Sequence, residues 1–478
     1  MNESATTRRP IKVGVVTDQT GPLSVMGIAN ANVAKMVIDD INAEGGLLGR
    51  PLELHLEDSE TTDSVGEAKA RKLIQQDRVD VIFGGIYSSM RQAIKGPAVV
   101  DGKTLYVYPE QYEGQECDPL IFCTGPVPAQ QIDPLIPWLM RETGARKFYL
   151  PSADYIWPHV LNAKVREAVT AHGGEIVGEE YYPLDHMDYG ATIDAIISTG
   201  AEVVFNTIVP PGVGPFLQGL YDSGFAKRGG KLVCTYVDEN VLDMVPAEWV
   251  EGLYSCLDYY QDVSDPFSRE LLATYNRRFP GGPKFAAGSA CTGLYRGLRL
   301  WQSAVNEAGS LRQDDVIAAL DHARIADGPG GPAEMVPGQH RVRMNMYIGQ
   351  AENGRFKTVE SLGVIDPQER TSRPPEQREG RLTGAGPHCL MDPNATEGEC
   401  ARPSHHRAGL CGLASNEVRR EVHVGQTRRT QVKHGTGGRL GDGLYWMRRG
   451  GESGVVGKFG VVETSNGNIT RDVDVPGL

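Results

Sequence analysis

Short apolar runs alternate with helical patterns along the first 110 residues. Residues 11–16 form an apolar-rich run that is typical of a strand buried on both faces. Up to residue 42, apolar side chains then repeat at i, i+3, i+4 and i+7, which predicts an amphipathic helix. Strands that alternate with helices predict a parallel, doubly wound α/β sheet. The other predicted elements of this first unit are strands at residues 52–56, 79–83 and 105–108 and a helix at 64–76.

The same alternation restarts near residue 148 and predicts a second α/β unit of similar size. A chain of 478 residues is too long for one typical domain, so a second unit is expected on length alone. Its predicted strands are residues 148–150, 176–181, 203–207, 231–235 and 252–259. Later predicted elements are helices at 265–279, 286–308 and 313–322 and a closing pair of strands at 341–349 and 354–359.

The stretch from Gly84 to Arg91 links a predicted buried strand to a predicted helix. Its two glycines permit a sharp turn, and Ser88 or Ser89 can cap the new helix. The free N–H groups of the first turn would then point into the crevice beyond the strand's carboxyl end, where open α/β sheets bind ligands. An ordinary strand-to-helix turn with a structural cap is the alternative.

A net charge of −13 and an isoelectric point near 5.4 argue against some classes of partner. We expect neither direct nucleic-acid binding nor attachment to anionic membranes, because both favour basic surfaces. Residues 1–10 contain no apolar segment, and no run of about 18 apolar residues occurs in the chain. We therefore expect a cytoplasmic protein whose eight cysteines are reduced thiols.

After about residue 367 the composition becomes rich in Gly, Arg, Pro and Ser. Residues 371–478 are predicted to be a disordered or weakly folded tail, with a late strand at 455–464. Its His and Cys residues have irregular gaps and no paired Cys-x-x-Cys spacing, so neither a metal site nor a cofactor is predicted. These residues are His388, Cys389, Cys400, His405, His406 and Cys411.

Two segments resemble the type I periplasmic-binding-protein superfamily. Residues 13–22, VGVVTDQTGP, look like its first strand and loop, and residues 41–51, INAEGGLLGRP, are similar to one of its turns. The resemblance covers about residues 11–366 and implies two doubly wound parallel-sheet lobes joined by a multi-strand hinge. The implied boundaries are residues 11–125 and 255–335 for the first lobe, and 126–254 and 336–366 for the second.

Three further segments resemble the amide- and urea-binding branch of this superfamily. They are YPEQYEG at 108–114, TGPVP at 124–128 and DYIWP at 154–158. That branch includes the cytoplasmic amide sensor of the aliphatic amidase operon and regulators associated with nitrile hydratase genes. The resemblance implies binding of a small amide-like ligand, such as an aliphatic amide, urea or a nitrile-pathway metabolite, in the cleft between the lobes.

The same resemblance implies which residues contact the ligand. Ser88 matches a serine whose hydroxyl and backbone N–H meet the ligand, and Tyr108 matches the tyrosine of a Tyr-Pro motif. Tyr155 and Trp157 match two aromatic positions, although Trp157 departs from the tyrosine of the family. We expect the three aromatic residues to form the pocket walls, with ordinary core packing as the alternative. The other predicted ligand-binding residues are Tyr87, Glu110, Asp238 and Glu239.

Glu110 bears most directly on the choice of ligand. It lies near a position where branched-chain amino-acid receptors of this superfamily use a small hydroxyl residue to bind the ligand carboxylate. A glutamate there would repel such a carboxylate, so free amino acids are disfavoured. An ionised Glu110 would instead accept from an amide or urea N–H₂ group, or pair with an amidinium. The alternative is that Glu110 points to solvent or pairs with Arg91.

The sequence contains no catalytic motif that these residues could complete. G-x-S-x-G, H-E-x-x-H and Walker-type lysine loops are all missing, so we expect no enzyme activity. The resemblance implies a sensor whose lobe closure controls a protein partner, namely a transcription regulator or antiterminator of amidase or nitrile hydratase genes. The alternative is a solute-binding receptor of an ABC-type importer for amides, urea or branched-chain amino acids. A homo-oligomer is left open.

Overall fold

The structure is a computed structural model that describes residues 9–287, 291–367, 440–443 and 459–462. It divides into two compact units, residues 1–401 and 402–478. In the smaller unit, Leu440–Gly443 pairs antiparallel with Phe459–Val462, which falls inside the predicted late strand. The rest of the predicted tail, with its His and Cys residues, lies outside the described residues.

The first part of the large unit alternates strands and helices, as the hydrophobic pattern predicts. Two π-helical turns, Leu73–Asp77 and Gly96–Asp101, extend its second and third helices. The elements are β1 (Ile11–Thr17), α1 (Ser24–Ala43), β2 (Leu52–Asp58), α2 (Asp63–Lys72), β3 (Val81–Gly84), α3 (Ser88–Lys95), β4 (Tyr106–Tyr108) and β5 (Ile121–Cys123).

The second part repeats the alternation, again as predicted. Its elements are α4 (Pro128–Thr143), β6 (Lys147–Ala153), α5 (Ile156–Ala171), β7 (Glu175–Tyr182), α6 (Gly190–Ser198), β8 (Val203–Phe205), α7 (Val213–Asp222), β9 (Lys231–Val233), α8 (Glu239–Leu242) and β10 (Tyr254–Leu257). Short 3₁₀ helices occur at Ala226–Arg228 and Ala247–Trp249.

Three helices and four strands complete the described part of this unit. They are α9 (Pro266–Arg278), α10 (Thr292–Ala308), α11 (Gln313–Leu320), β11 (Arg324–Ile325), β12 (Ala333–Val336), β13 (Arg341–Glu352) and β14 (Arg355–Ile365). β13 and β14 are the predicted closing pair and run antiparallel. The chain returns here to its first part, because α10 packs against α1, β3 and β4.

One sheet path links both parts, in the order β2-β1-β3-β4-β5-β13-β10-β9-β8-β6-β7. We call β2-β1-β3-β4-β5 the first half-sheet and β10-β9-β8-β6-β7 the second; neighbouring strands within each are parallel. The halves meet at β13, which pairs with β5 only at Arg341 and Cys123. The predicted doubly wound α/β fold is confirmed, and the lobe boundaries stay a prediction.

α10 begins at Thr292, so the predicted helix start at residue 286 is wrong. Lys284 just before it is held in a loop by two hydrogen bonds to one side chain. Its N–H donates to Asn240 Oδ1 (2.7 Å), and its carbonyl accepts from Asn240 Nδ2 (2.9 Å). Asn240 belongs to α8, so a residue 44 positions away fixes this loop. A contact between residues so far apart in the sequence leaves no trace in its hydrophobic periodicity.

The central strands β1, β3, β4, β5 and β8 are buried on both faces, which explains their continuous apolar runs. Val13 and Val15 of β1 lie on one core cluster, while Val16 packs into a second cluster on the other face of the sheet. In the part of the chain that the structure describes, no helix is both long and apolar enough to cross a bilayer. The five cysteines there are free thiols.

Candidate functional site

The carboxyl ends of parallel strands from both half-sheets carry buried polar residues. Asp18 follows β1, Glu110 lies just beyond β4, and Asp238 lies beyond β9. All three are at most 2% exposed. Open α/β sheets bind ligands at this edge, where loops from different strands converge. These loops therefore form the candidate ligand site.

The turn between β3 and α3 depends on Gly84. Its φ of +114° is in a region that favours glycine, and a Cβ there would lie 1.9 Å from the Val16 carbonyl oxygen. α3 then begins at Ser88, with Tyr87 as the N-cap and no side-chain capping bond. The predicted capping by Ser88 or Ser89 is wrong because both hydroxyls hydrogen-bond elsewhere.

Ser88 is buried and its hydroxyl donates to Glu113 Oε2 at 2.6 Å. Ser89 Oγ donates to Asp63 Oδ1 at 3.2 Å. Because a serine hydroxyl has one proton, Ser88 Oγ can offer only lone pairs to a further partner. The structure therefore leaves Ser88 as an acceptor, whereas the sequence predicts a hydroxyl donor to the ligand.

Arg91 pairs with Glu113, and its Nε lies 3.4 Å from Glu116 Oε2. The guanidinium also lies over two aromatic rings, 4.9 Å from the centroids of Tyr108 and Tyr112. Arg91 and Glu113 side chains are fully buried. This buried charge is thus neutralised by ion pairs and cation–π contacts. The alternative that Glu110 pairs with Arg91 is wrong.

Tyr108 lies beneath this ion pair rather than at an open wall. Its hydroxyl donates to the Ile86 carbonyl at 2.7 Å, and its ring packs at 5.7 Å against Tyr112. The side chain is fully buried in the second core cluster. These contacts are those of a core residue. The role of Tyr108 as a pocket wall stays a prediction.

Glu110 is 2% exposed, so the alternative that it points to solvent is wrong. Asn30 Nδ2 of α1 donates to its Oε1 at 3.0 Å, while its Oε2 has no hydrogen-bond partner among the described residues. Burial raises its pKa well above the ordinary value, and the negative charges of Asp18 and Asp238 add to this.

Two close backbone approaches fix the segment that carries Glu110. Cβ atoms at Gly125 and Gly293 would lie 2.1 Å from Glu110 O and 1.8 Å from Pro109 O.

Asp238 and Glu239 come from the second half-sheet. Asp238 Oδ1 caps α8 by accepting from the N–H groups of Asn240 (2.9 Å) and Val241 (3.0 Å). Glu239 Oε1 accepts from the Gln261 N–H at 2.7 Å. The second oxygen of each has no partner among the described residues. Burial raises the pKa of Asp238 to about 7 and that of Glu239 to about 8.

A chain of aromatic residues connects the two half-sheets. Tyr87 OH donates across to the Pro210 carbonyl at 3.1 Å, and its ring packs at 5.8 Å against Tyr155. Tyr155 lies 6.2 Å from Trp157, and Trp157 lies 6.1 Å from Tyr236. Trp157 Nε1 is buried with no acceptor among the described residues. The predicted residues Tyr87, Tyr155 and Trp157 are thus brought together.

Comparison with known proteins identifies the family. Residues 10–355 match the family of periplasmic binding proteins. The chain belongs to this family. Leu/Ile/Val-binding protein homolog 8 of Brucella abortus is 24% identical over 372 residues, which span 73% of this chain and 90% of that protein. The predicted superfamily is therefore confirmed.

Solved periplasmic binding proteins share the fold. A solute-binding protein of an ABC transporter from Rhodopseudomonas palustris, in complex with 3,4-dihydroxy benzoic acid, gives a TM-score of 0.67 at 24% identity. It covers 75% of this chain and 98% of its own. The branched-chain amino acid transporter substrate binding protein of Streptococcus pneumoniae, with isoleucine, gives 0.66 at 17% identity, covering 75% and 99%. The more specific amide-binding branch stays a prediction.

Sequence reasoning missed Asp18. It is 1% exposed, its Oδ1 accepts from the Ser59 hydroxyl, and its Oδ2 has no partner among the described residues. Burial raises its pKa to about 6. Its place directly after β1, at the same sheet edge as Glu110, is a signal that could have found it.

Proposed function

We propose that this chain is the solute-binding receptor of an ABC-type importer. The observation that carries the proposal is the edge where the two half-sheets meet. Buried polar side chains with unused hydrogen-bonding atoms lie there on loops from both halves, and the charges of Asp18 and Asp238 act on Glu110. This chain matches proteins named Leu/Ile/Val-binding protein homolog over nine-tenths of their length, which agrees with such a role.

The receptor would close its two halves around the ligand and present the closed form to a membrane permease. Two sets of long-range hydrogen bonds seen in the structure would support such a closed arrangement. Tyr87 bonds the Pro210 carbonyl, and Asn240 makes two hydrogen bonds with the backbone of Lys284. The proposed step is binding alone, for which Ser88, Glu110 and Asp238 offer hydrogen-bond acceptors.

The first experiment is a thermal-shift titration of the full chain. The panel holds acetamide, propionamide, butyramide, urea, benzamide, acetamidine, the matching nitriles and leucine. A ligand at about 100 times its Kd stabilises the folded state by about 2.7 kcal/mol, which gives a measurable rise in Tm. We expect at least one nitrogen-rich compound to raise the Tm. No rise with any member would count against ligand binding at this site.

The second candidate is the cytoplasmic amide sensor that regulates amidase or nitrile hydratase genes through a protein partner. Its support is the acceptor character of Ser88, Glu110 and Asp238, which suits the two N–H donors of a primary amide. The candidates differ in place of action. Neighbouring permease and ATPase genes and an exported reporter fusion would favour the importer. A neighbouring amidase or nitrile hydratase gene and a cytoplasmic fusion would favour the sensor.

A further inference from the structure

Four carboxylates lie at the edge where the half-sheets meet, and each keeps one oxygen unused. Asp18 and Glu110 come from the first half-sheet, and Asp238 and Glu239 from the second. All are 4% exposed or less. The atoms without a partner among the described residues are Asp18 Oδ2, Glu110 Oε2, Asp238 Oδ2 and Glu239 Oε2. A buried carboxylate oxygen without a donor is unfavourable, so these atoms indicate a missing partner.

The nearby cations do not supply that partner. The positive charge of Lys284 offsets a small part of the rise in the pKa of Asp238 and Glu239. Its ammonium, however, pairs with Asp243 at 2.9 Å. The Arg296 guanidinium pairs with Asp258 at 2.6 Å, and Arg91 pairs with Glu113. Within the described ranges, none of these three cations donates to the unused oxygens. With its carboxylates ionised, the site therefore has an excess of acceptors.

We propose that the ligand is a small organic cation of the amidinium or guanidinium type that carries no carboxylate. The proposal rests on the proposed function, since it names the ligand class of the same site. A planar amidinium has N–H donors on two edges, so it can bridge a carboxylate of each half-sheet, Glu110 on one side and Asp238 on the other. A carboxylate-bearing ligand would meet like charges instead.

Proton release should accompany the binding of such a cation. With the pKa of Asp18, Asp238 and Glu239 raised to about 6, 7 and 8, the empty site holds protons near neutral pH. A bound cation favours the ionised forms, lowers these pKa values and expels protons. The affinity for a cation therefore rises with pH. The neighbouring Cys291 thiol and Tyr259 phenol have raised pKa values and stay neutral in this range.

Isothermal titration calorimetry of the full chain tests the proposal with pairs of equal shape and different charge. The pairs are acetamidinium against acetamide and guanidinium against urea. At about pH 8 we expect each cation to bind at least about tenfold more tightly than its neutral partner. From about pH 6 to about pH 8 its Kd should fall at least threefold, with heats that depend on the buffer's ionisation enthalpy. Equal or tighter binding of the neutral partners would overturn the proposal.

Two variants remove the charge while keeping the shape. Glu110→Gln and Asp238→Asn should each weaken acetamidinium binding by about tenfold and acetamide binding by less than about threefold. Asn at position 238 retains an oxygen that can cap α8, so it guards against misfolding. Glu270→Gln, on an exposed surface, is the matched control and should leave every Kd unchanged.

The outcomes separate the ligand class from the general function. Binding of leucine or benzoate without binding of either cation would overturn the cationic ligand and leave the solute receptor standing. Failure of all these probes would overturn the ligand class and count against the receptor as well.

Discussion

Two of the described regions that bury charge, one around Arg91 and one around Glu110, differ in whether that charge is neutralised. Around Arg91, the guanidinium pairs with Glu113, approaches Glu116 and lies over two tyrosine rings. Around Glu110, the carboxylate has one amide donor, Asn30, and faces the negative charges of Asp18 and Asp238. Both regions border the same sheet edge. The paired region behaves as part of the core, and the unpaired region has the character of a ligand site.

Breaking the paired region should have the largest effect. Arg91→Met would leave Glu113 buried without its cation, while Glu116 keeps its pair with Lys95, and loss of one partner from a buried pair costs about 3–5 kcal/mol. Denaturant unfolding measures this as a lower free energy of unfolding. Arg277→Met, which breaks an exposed pair with Glu270, is the control and should change little. Equal effects of the two substitutions would show that Arg91 is no core residue.

The unpaired region should respond in the opposite direction. Below the ordinary Glu pKa of 4.5, Glu110 is protonated in both the folded and the unfolded state. In that range Glu110→Gln should leave the free energy of unfolding unchanged. Above it, the unfolded chain ionises while the folded state keeps its proton or bears a buried charge, so wild-type stability falls as pH rises. We expect Glu110→Gln to stabilise the ligand-free chain by about 1–3 kcal/mol near pH 8.

The measurement is the free energy of unfolding of both proteins across the pH range. A difference that does not grow with pH would contradict the raised pKa of Glu110. Asp238→Asn should show the same sign, with a difference that grows above the ordinary Asp pKa of 3.8 and levels off above the folded-state pKa of about 7.

The smallest effect concerns the bridge between the halves. Tyr87→Phe keeps the ring against Tyr155 but removes the hydroxyl that bonds the Pro210 carbonyl. One such hydrogen bond contributes about 0.5–1.5 kcal/mol, so ligand affinity should fall by no more than about tenfold. Calorimetric titration with the best ligand of the panel measures it. Tyr221→Phe in α7 is the control, since the contact of Tyr221 with Lys227 uses the ring and not the hydroxyl. A larger loss would mean that Tyr87 contacts the ligand directly.

Much of the fold follows from local patterns in the sequence. Residues 79–83 carry the apolar run of a buried strand, and the structure has β3 at Val81–Gly84. The Gly84–Gly85 turn likewise reflects a local requirement for positive φ. The start of α10 was wrong because Asn240, far away in the sequence, holds the loop before it.

The site was harder to predict because its chemistry depends on distant partners. From the sequence Ser88 looks like a helix cap, but in the structure its hydroxyl donates a hydrogen bond to Glu113. Glu110 looks like a partner for Arg91 until Asn30, 80 residues earlier, is found beside it. The motif positions indicated which loops form the site. The hydrogen bonds that the side chains already make across the sheet decide which atoms remain for a ligand.

The most direct measurement is a calorimetric titration of wild-type and Glu110→Gln proteins with acetamidinium at about pH 8. We expect tight binding to the wild type and a loss of about tenfold in the variant, with acetamide nearly unaffected. Equal binding of acetamidinium to both proteins would contradict the claim that the unpaired carboxylates form the ligand site.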